Sequence, residues 1–159
     1  MITRFSAALA LALAGVASAS GFDVYAANCA ICHQPDGAGV AGVYPPLKDS
    51  VGRYLRVPSG RAYLVHVLSY GLSGTISVGS LSYSGFMQPW PQFADAEVAE
   101  VLNLVLEKFN AGSLPADYQP FTAEEVKKLR DSAHSLAEVQ SERETLLKAL
   151  ADPRSDGGS

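Results

Sequence analysis

Apolar residues recur along this chain at helical spacing in several stretches, separated by stretches with no helical period. The clearest helix spans residues 94–109, where Val98, Val101, Leu102, Val105 and Phe109 fall at i, i+3, i+4 and i+7 and form one stripe. Asp95 and Glu97 suit the positive end of its dipole, and Asn110-Ala111-Gly112 stops it. A second helix is expected over 61–70, following Ser59-Gly60, with Leu64, Val65, Leu68 and Leu72 on one face. A short helix over 22–33 is broken by the turn residues Gln34-Pro35-Asp36-Gly37-Ala38-Gly39. Val43-Tyr44-Pro45-Pro46-Leu47 reads as a rigid extended stretch, because proline cannot continue a helix and biases its neighbours to extended shapes. Residues 71–85 are rich in Gly and Ser without helical period and read as loop or short extended structure.

The last segment differs. Residues 113–121 form a proline-containing linker. Thr122-Ala123-Glu124-Glu125 then reads as a capping box before a helix with Val126, Leu129 and Ala133 inward. Ser135-Leu136-Ala137-Glu138 is a second box, opening a helix with Leu136, Val139, Leu146, Leu147 and Leu150. Two charged amphipathic helices cannot bury their stripes alone, so they pack back on the body of the chain or bind a partner. The pattern predicts an all-α body over 20–112, the linker, a helical extension over 122–151 and a frayed tail over 152–159.

The chemistry concentrates in Cys29-Ala30-Ile31-Cys32-His33, which reads C-x-x-C-H, the attachment site of a c-type haem. Two thiols add to the two vinyl groups of a haem, and two intervening residues let one helical turn present both sulfurs to the same porphyrin edge. A histidine directly after the second cysteine lies under the ring as proximal iron ligand. Other readings have other requirements. A thioredoxin-like dithiol needs strands and helices alternating around the motif, and the pattern shows none. A zinc site needs a second ligand cluster, whereas His66 and His134 stand singly. A disulfide would close too short a loop to gain much.

The first nineteen residues resemble a secretory signal: Arg4, an apolar run over 7–16 too short to span a bilayer, and Ala17-Ser18-Ala19 as small-x-small cleavage site. No other long apolar run follows, so no stable membrane insertion is expected after cleavage, and export to the periplasm fits haem attachment outside the cytoplasm. Without Arg4 the chain has 11 basic and 16 acidic side chains, net −5. This acidic balance argues against nucleic acid as a partner and suits a docking partner with a basic or mainly apolar face.

In this order the motifs resemble those of a mono-haem class I cytochrome c, over residues 21–109. Gly21 and Tyr25, eight and four residues before Cys29, match the small and aromatic positions where that family crosses its N-terminal helix over its last core helix. Pro45-Pro46-Leu47 resembles the proline-x-leucine step on the proximal side. The likeness implies that the Pro45 carbonyl accepts a hydrogen bond from the second nitrogen of His33, and that Leu47 lies against the ring. It implies Met87, the only methionine beyond the signal, as distal ligand, although the usual Met-Pro pair is here Met87-Gln88-Pro89. A neutral thioether favours ferrous iron and raises the reduction potential. Met87 as core filler is the plainer reading. Trp90 would border the haem and donate its indole N–H to a propionate. Arg53, Arg56 and Arg61 would pair with propionates, form a docking patch or remain a solvated face. His66, opposite the apolar stripe of its helix, reads as a surface histidine rather than a competing sixth ligand.

The resemblance implies one covalent haem c and one-electron transfer by a carrier, not an enzyme. A weaker likeness of residues 71–87 to cytochrome domains serving quinoprotein or flavoprotein dehydrogenases implies such a dehydrogenase as donor. A cytochrome or oxidase of the respiratory chain would be the acceptor. The competing reading is a haem enzyme or gas sensor with a labile sixth ligand.

Overall fold

Helix α1 (Gly21–Asn28) crosses helix α4 (Asp95–Phe109), and this crossing organises the body of the molecule in the computed structural model, which describes residues 20–152. Gly21 is required there: a Cβ at this position would collide with the Glu100 carbonyl of α4. One turn further on, Tyr25 packs edge-on against Phe109 with ring centroids 5.3 Å apart, and its hydroxyl donates to the Gln34 carbonyl at 2.7 Å. The family-like helix crossing expected from Gly21 and Tyr25 is thus present. The expected signal segment and all but Asp152 of the expected tail lie outside the described residues.

A short helix α2 (Ala30–His33) follows Cys29, then the turn-rich segment and a 3-10 turn, Gly52–Arg56. Helix α3 (Gly60–Tyr70) and α4 contribute buried Leu64, Val65, Leu68, Val98, Val101, Leu102, Val105 and Leu106 to one core. The Glu97 carboxylate caps α4 by accepting the Ala94 N–H at 2.9 Å. No helix among the described residues is long and apolar enough to cross a membrane.

The mostly helical architecture has one local exception. Residues 71–87 form an antiparallel hairpin, β1 (Leu72–Val78) and β2 (Leu81–Met87), closed by the two-residue turn Gly79-Ser80. Leu72 pairs with Met87 and Ile76 with Tyr83, so these four share one face, and that face is the apolar one. The serines and Thr75 supply the polar, exposed face, and Gly74 pairs with Gly85 between the apolar pairs.

The C-terminal segment packs back on the body. Helix α5 (Ala123–Leu129) lies on α4, and helix α6 (Leu136–Ala151) lies on α3 and β1, burying Val126, Val139 and Leu146 completely. The linker is fastened too: Phe121 is buried, and Asn103 on α4 both donates to its carbonyl and accepts its N–H, at 3.0 and 2.7 Å. Three details differ from expectation. Thr122 caps α5 by accepting the Glu125 N–H, but the Glu125 carboxylate is engaged by Arg61 instead of closing a box. Ala133 is exposed, because α5 ends at Leu129. His66 is not a surface residue: the side of α3 opposite the core stripe is covered by α6, leaving it 7% exposed.

Candidate haem site

The C-x-x-C-H segment lies at the edge of a cavity enclosed by α1, the 3-10 turn, α3, α4 and the hairpin. Two compartments, ≈ 120 and ≈ 500 Å3, meet at Cys29, His33, Pro45, Leu72, Ile76 and Met87. The narrower compartment is lined mostly by aliphatic and aromatic side chains, as a large flat apolar group requires, and the wider one adds Asn28, Ser73, Ser84 and Gln88.

The proximal side is built by backbone. His33 is buried at the end of α2, and its Nδ1 lies 2.9 Å from the Pro45 carbonyl. A carbonyl can only accept, so Nδ1 carries the proton and Nε2 keeps its lone pair. Burial holds the His33 pKa below its ordinary value, against the opposing pull of the Pro45 bond, which favours the neutral ring that a metal ligand requires. Gly39, at φ +66°, makes this approach possible: a Cβ there would strike the carbonyls of Tyr44 and Pro45, while its N–H donates to the His33 carbonyl at 2.9 Å.

Asn110 locks the same side to α4. It is fully buried, and its Oδ1 accepts from the N–H groups of Ser50, Val51 and Gly52 at 3.0–3.1 Å. Its Nδ2 donates to the carbonyls of Leu47 and Val105 at 3.0 and 2.9 Å. In the sequence it is simply the residue that stops a helix; its role in seating Leu47 depends on partners about sixty positions away, which no local pattern signals.

Met87 ends β2 and lines both compartments, and Trp90 borders the wider one, stacked on Phe93 with centroids 5.0 Å apart. The Trp90 backbone N–H donates to the Leu68 carbonyl at 3.0 Å, tying this segment to α3.

No disulfide joins Cys29 to Cys32. Burial, and then the neighbouring Cys32, push the Cys29 thiol up to about 11, the opposite of the lowered value a redox dithiol uses. Among the described residues no metal-ligand cluster forms around the pair.

Of the arginines expected near the cavity, none lines it. Arg53 and Arg56 are exposed, and Arg61 forks onto Glu125 with N···O distances of 2.5 and 2.6 Å and stacks on Phe121. The cation that does line the cavity is Arg143, on α6. It is 3% exposed and donates to the hydroxyls of Tyr54 and Tyr63 at 2.9 and 3.2 Å and to the Ser77 carbonyl at 3.2 Å. Burial disfavours its charge, but the two phenols outweigh burial and hold its pKa above the ordinary value. Among the described residues it has no carboxylate partner, and a buried cation calls for an anion.

The donor set therefore fits a haem c: an imidazole nitrogen and a thioether lining one cavity, two cysteines at its edge, a largely apolar lining, and a buried guanidinium able to meet a propionate.

The cytochrome c family model matches residues 18–108. One cytochrome c-552 of Thermus thermophilus is 42% identical over 131 residues, covering 82% of this chain and 88% of that protein. A second Thermus thermophilus cytochrome c-552 is 42% identical over 128 residues, 80% of this chain and 97% of its own length. The cytochrome c subunit of quinone alcohol dehydrogenase from Gluconacetobacter polyoxogenes is 33% identical over 129 residues, 80% of this chain but only 26% of that subunit. The chain belongs to the class I c-type cytochromes of the cytochrome c family, carries covalently attached haem c, and transfers electrons.

Proposed function

We propose that this chain is an exported, periplasmic one-electron carrier that receives electrons from a quinoprotein or flavoprotein dehydrogenase and delivers them to a cytochrome or oxidase of the respiratory chain. Cys29 and Cys32 would form the thioethers, His33 Nε2 and Met87 Sδ would hold the iron, and Pro45, Leu47 and Trp90 line the pocket. The observation that supports this reading is the His33 ring oriented by Pro45 on a cavity that Met87 also lines.

Bound haem c supplies a single iron that cycles between Fe(III) and Fe(II). The residues keep that cycle simple. Pro45 orients the imidazole and strengthens it as a donor. Met87 fills the sixth position with a soft ligand that favours the reduced state. Arg143 holds a positive charge at the pocket's inner wall, which also favours the reduced, less positive iron.

The route for electrons is the rim around Cys32. Ile31, Val43, Tyr44 and Phe86 line the mouth of the wider compartment and are 81, 55, 40 and 63% exposed. An apolar rim on an acidic protein suits brief, small-area redox encounters. The relation to dehydrogenase cytochrome subunits supports a dehydrogenase as donor.

The test is a spectrum of the purified ferric protein. A low-spin haem with the weak far-red band of a methionine–iron bond, lost in Met87→Ala, is expected, with haem retained through acid–acetone extraction. High-spin ferric haem that binds CO readily on reduction would instead indicate a haem enzyme or gas sensor. For the partner, anaerobic mixing with a reduced dehydrogenase of either cofactor class should reduce the haem within the turnover time of that enzyme.

A further inference from the structure

Away from the haem cavity, His66, His134 and Glu142 bring three metal-ligating side chains together, with one donor atom from each within 4.8 Å of the others. They come from three parts of the chain: α3, the loop between α5 and α6, and α6 itself. We infer that these residues form a binding site for a divalent transition metal, zinc in the first instance, which clips the C-terminal helices to the haem body.

The hydrogen bonds carry the inference. His66 Nε2 lies 2.8 Å from the Leu129 carbonyl, which can only accept, so that nitrogen holds the proton. Its Nδ1 then faces the Glu142 carboxylate at 2.8 and 3.1 Å. His134 repeats the arrangement: Nε2 lies 3.2 Å from the Ser132 hydroxyl, and Nδ1 lies 3.2 Å from Glu142 Oε1. Each imidazole thus has its outer nitrogen on an oxygen and its inner nitrogen on one shared carboxylate. That is how metal-binding histidines are held: the outer N–H is anchored and the inner lone pair is aimed at the ion.

The rings are stacked at 4.0 Å between centroids, tilted by 27°. A single divalent ion would take a lone pair from each inner nitrogen together with an oxygen of the shared carboxylate. The nearby Glu138 carboxylate is already taken up by the Ser135 cap. Tyr70 shapes the loop by donating to the carbonyls of Arg130 and Ser132 at 3.1 and 2.9 Å, so His134 is delivered by a folded turn.

Two imidazoles and one carboxylate leave a fourth position for water, the ligand count of an open zinc site. The nitrogen–oxygen spacings of 2.8–3.2 Å approach those of ligands around one tetrahedral ion with bonds of about 2.0–2.1 Å, and all three donors lie within 4.8 Å of one another. Binding requires His134 to turn out of its stack on His66, a small side-chain rotation on a loop. The site fastens α6 one residue before Arg143, so the same ion would hold the cavity's buried cation in register.

The experiment uses the full mature holo-cytochrome, stripped with chelator and titrated with zinc chloride by calorimetry. One zinc per chain is expected. Its K-edge absorption, well separated from that of the haem iron, should report two imidazole nitrogens and carboxylate oxygen at about 2.0–2.1 Å. His134→Gln and Glu142→Gln should each weaken binding by more than about 100-fold, beyond the range for losing only an outer partner. Circular dichroism with chelator present confirms that the variants are folded. Zinc should raise the melting temperature of the wild type and leave that of the variants unchanged. Absence of a stoichiometric site, equal affinity in the variants, or an edge spectrum without imidazole ligands would overturn the proposal.

Discussion

The two sides of the haem cavity are built by different means. On the proximal side, His33, Pro45 and Leu47 lie within fifteen residues of one another and are joined by backbone hydrogen bonds, with Asn110 satisfying three N–H groups at once. On the distal side, Met87 ends a two-stranded hairpin whose outer face is exposed. A two-stranded hairpin is marginal alone. This one leans on α6, through the packing of β1 and the bond from Arg143 to the Ser77 carbonyl. The proposed ligand His33 is thus held by the loop around it and by Asn110, and the proposed ligand Met87 by a hairpin that rests on the C-terminal extension. An iron site needs one ligand that never leaves, and the chain places its densest bonding there.

Substitutions should separate the two sides. Asn110→Ala should have the largest effect on stability. It leaves three backbone donors without their acceptor in a buried site, at about 1–3 kcal/mol each before relaxation, and chemical denaturation of the holo-protein should show a loss of about 3 kcal/mol or more.

Arg143→Met comes next and acts on the distal side. It removes three hydrogen bonds from a buried cation while nearly keeping the volume, and a loss of about 2 kcal/mol is expected. The reduction potential should fall, because a positive charge that disfavours Fe(III) is gone; spectroelectrochemistry reads the sign directly. An unchanged potential would detach Arg143 from the haem.

Glu125→Gln should be the mildest. The Arg61–Glu125 pair is about 30% exposed at both partners, so its loss should cost about 0.5 kcal/mol and weaken further in salt. Retention of the methionine–iron band in this variant is expected, since α5 packs on α4 and α3, away from the hairpin.

The proximal side was also the more legible in sequence. C-x-x-C-H, the turn residues after it and the prolines act on near neighbours, so spacing alone conveys their geometry. The helices α3 and α4 were readable from their stripes for the same reason. The hairpin was harder, because the serines on its exposed face and the paired Gly74 and Gly85 lower its strand propensity. Gly79-Ser80 between the alternating apolar positions Ile76, Val78 and Leu81, Tyr83 was the signal available for it. Asn110, His66 and Arg143 were not legible in their roles. Each takes its partners from 58 to 89 residues away, and only the packing of α6 makes His66 and Arg143 buried. The capping pattern at Thr122 was right about where α5 starts and wrong about Glu125, since a charged partner on another helix outcompeted the local N–H.

The asymmetry between the two sides is tested most directly by one denaturant titration of the ferric protein read with two probes. The far-red band reports the Met87–iron bond, and far-ultraviolet circular dichroism reports the helices. The band should disappear at a lower denaturant concentration than the helical signal, while the Soret band still shows His33 bound. Coincident loss of both signals, or loss of the helices first, would contradict the view that Met87 is the yielding ligand and His33 the fixed one.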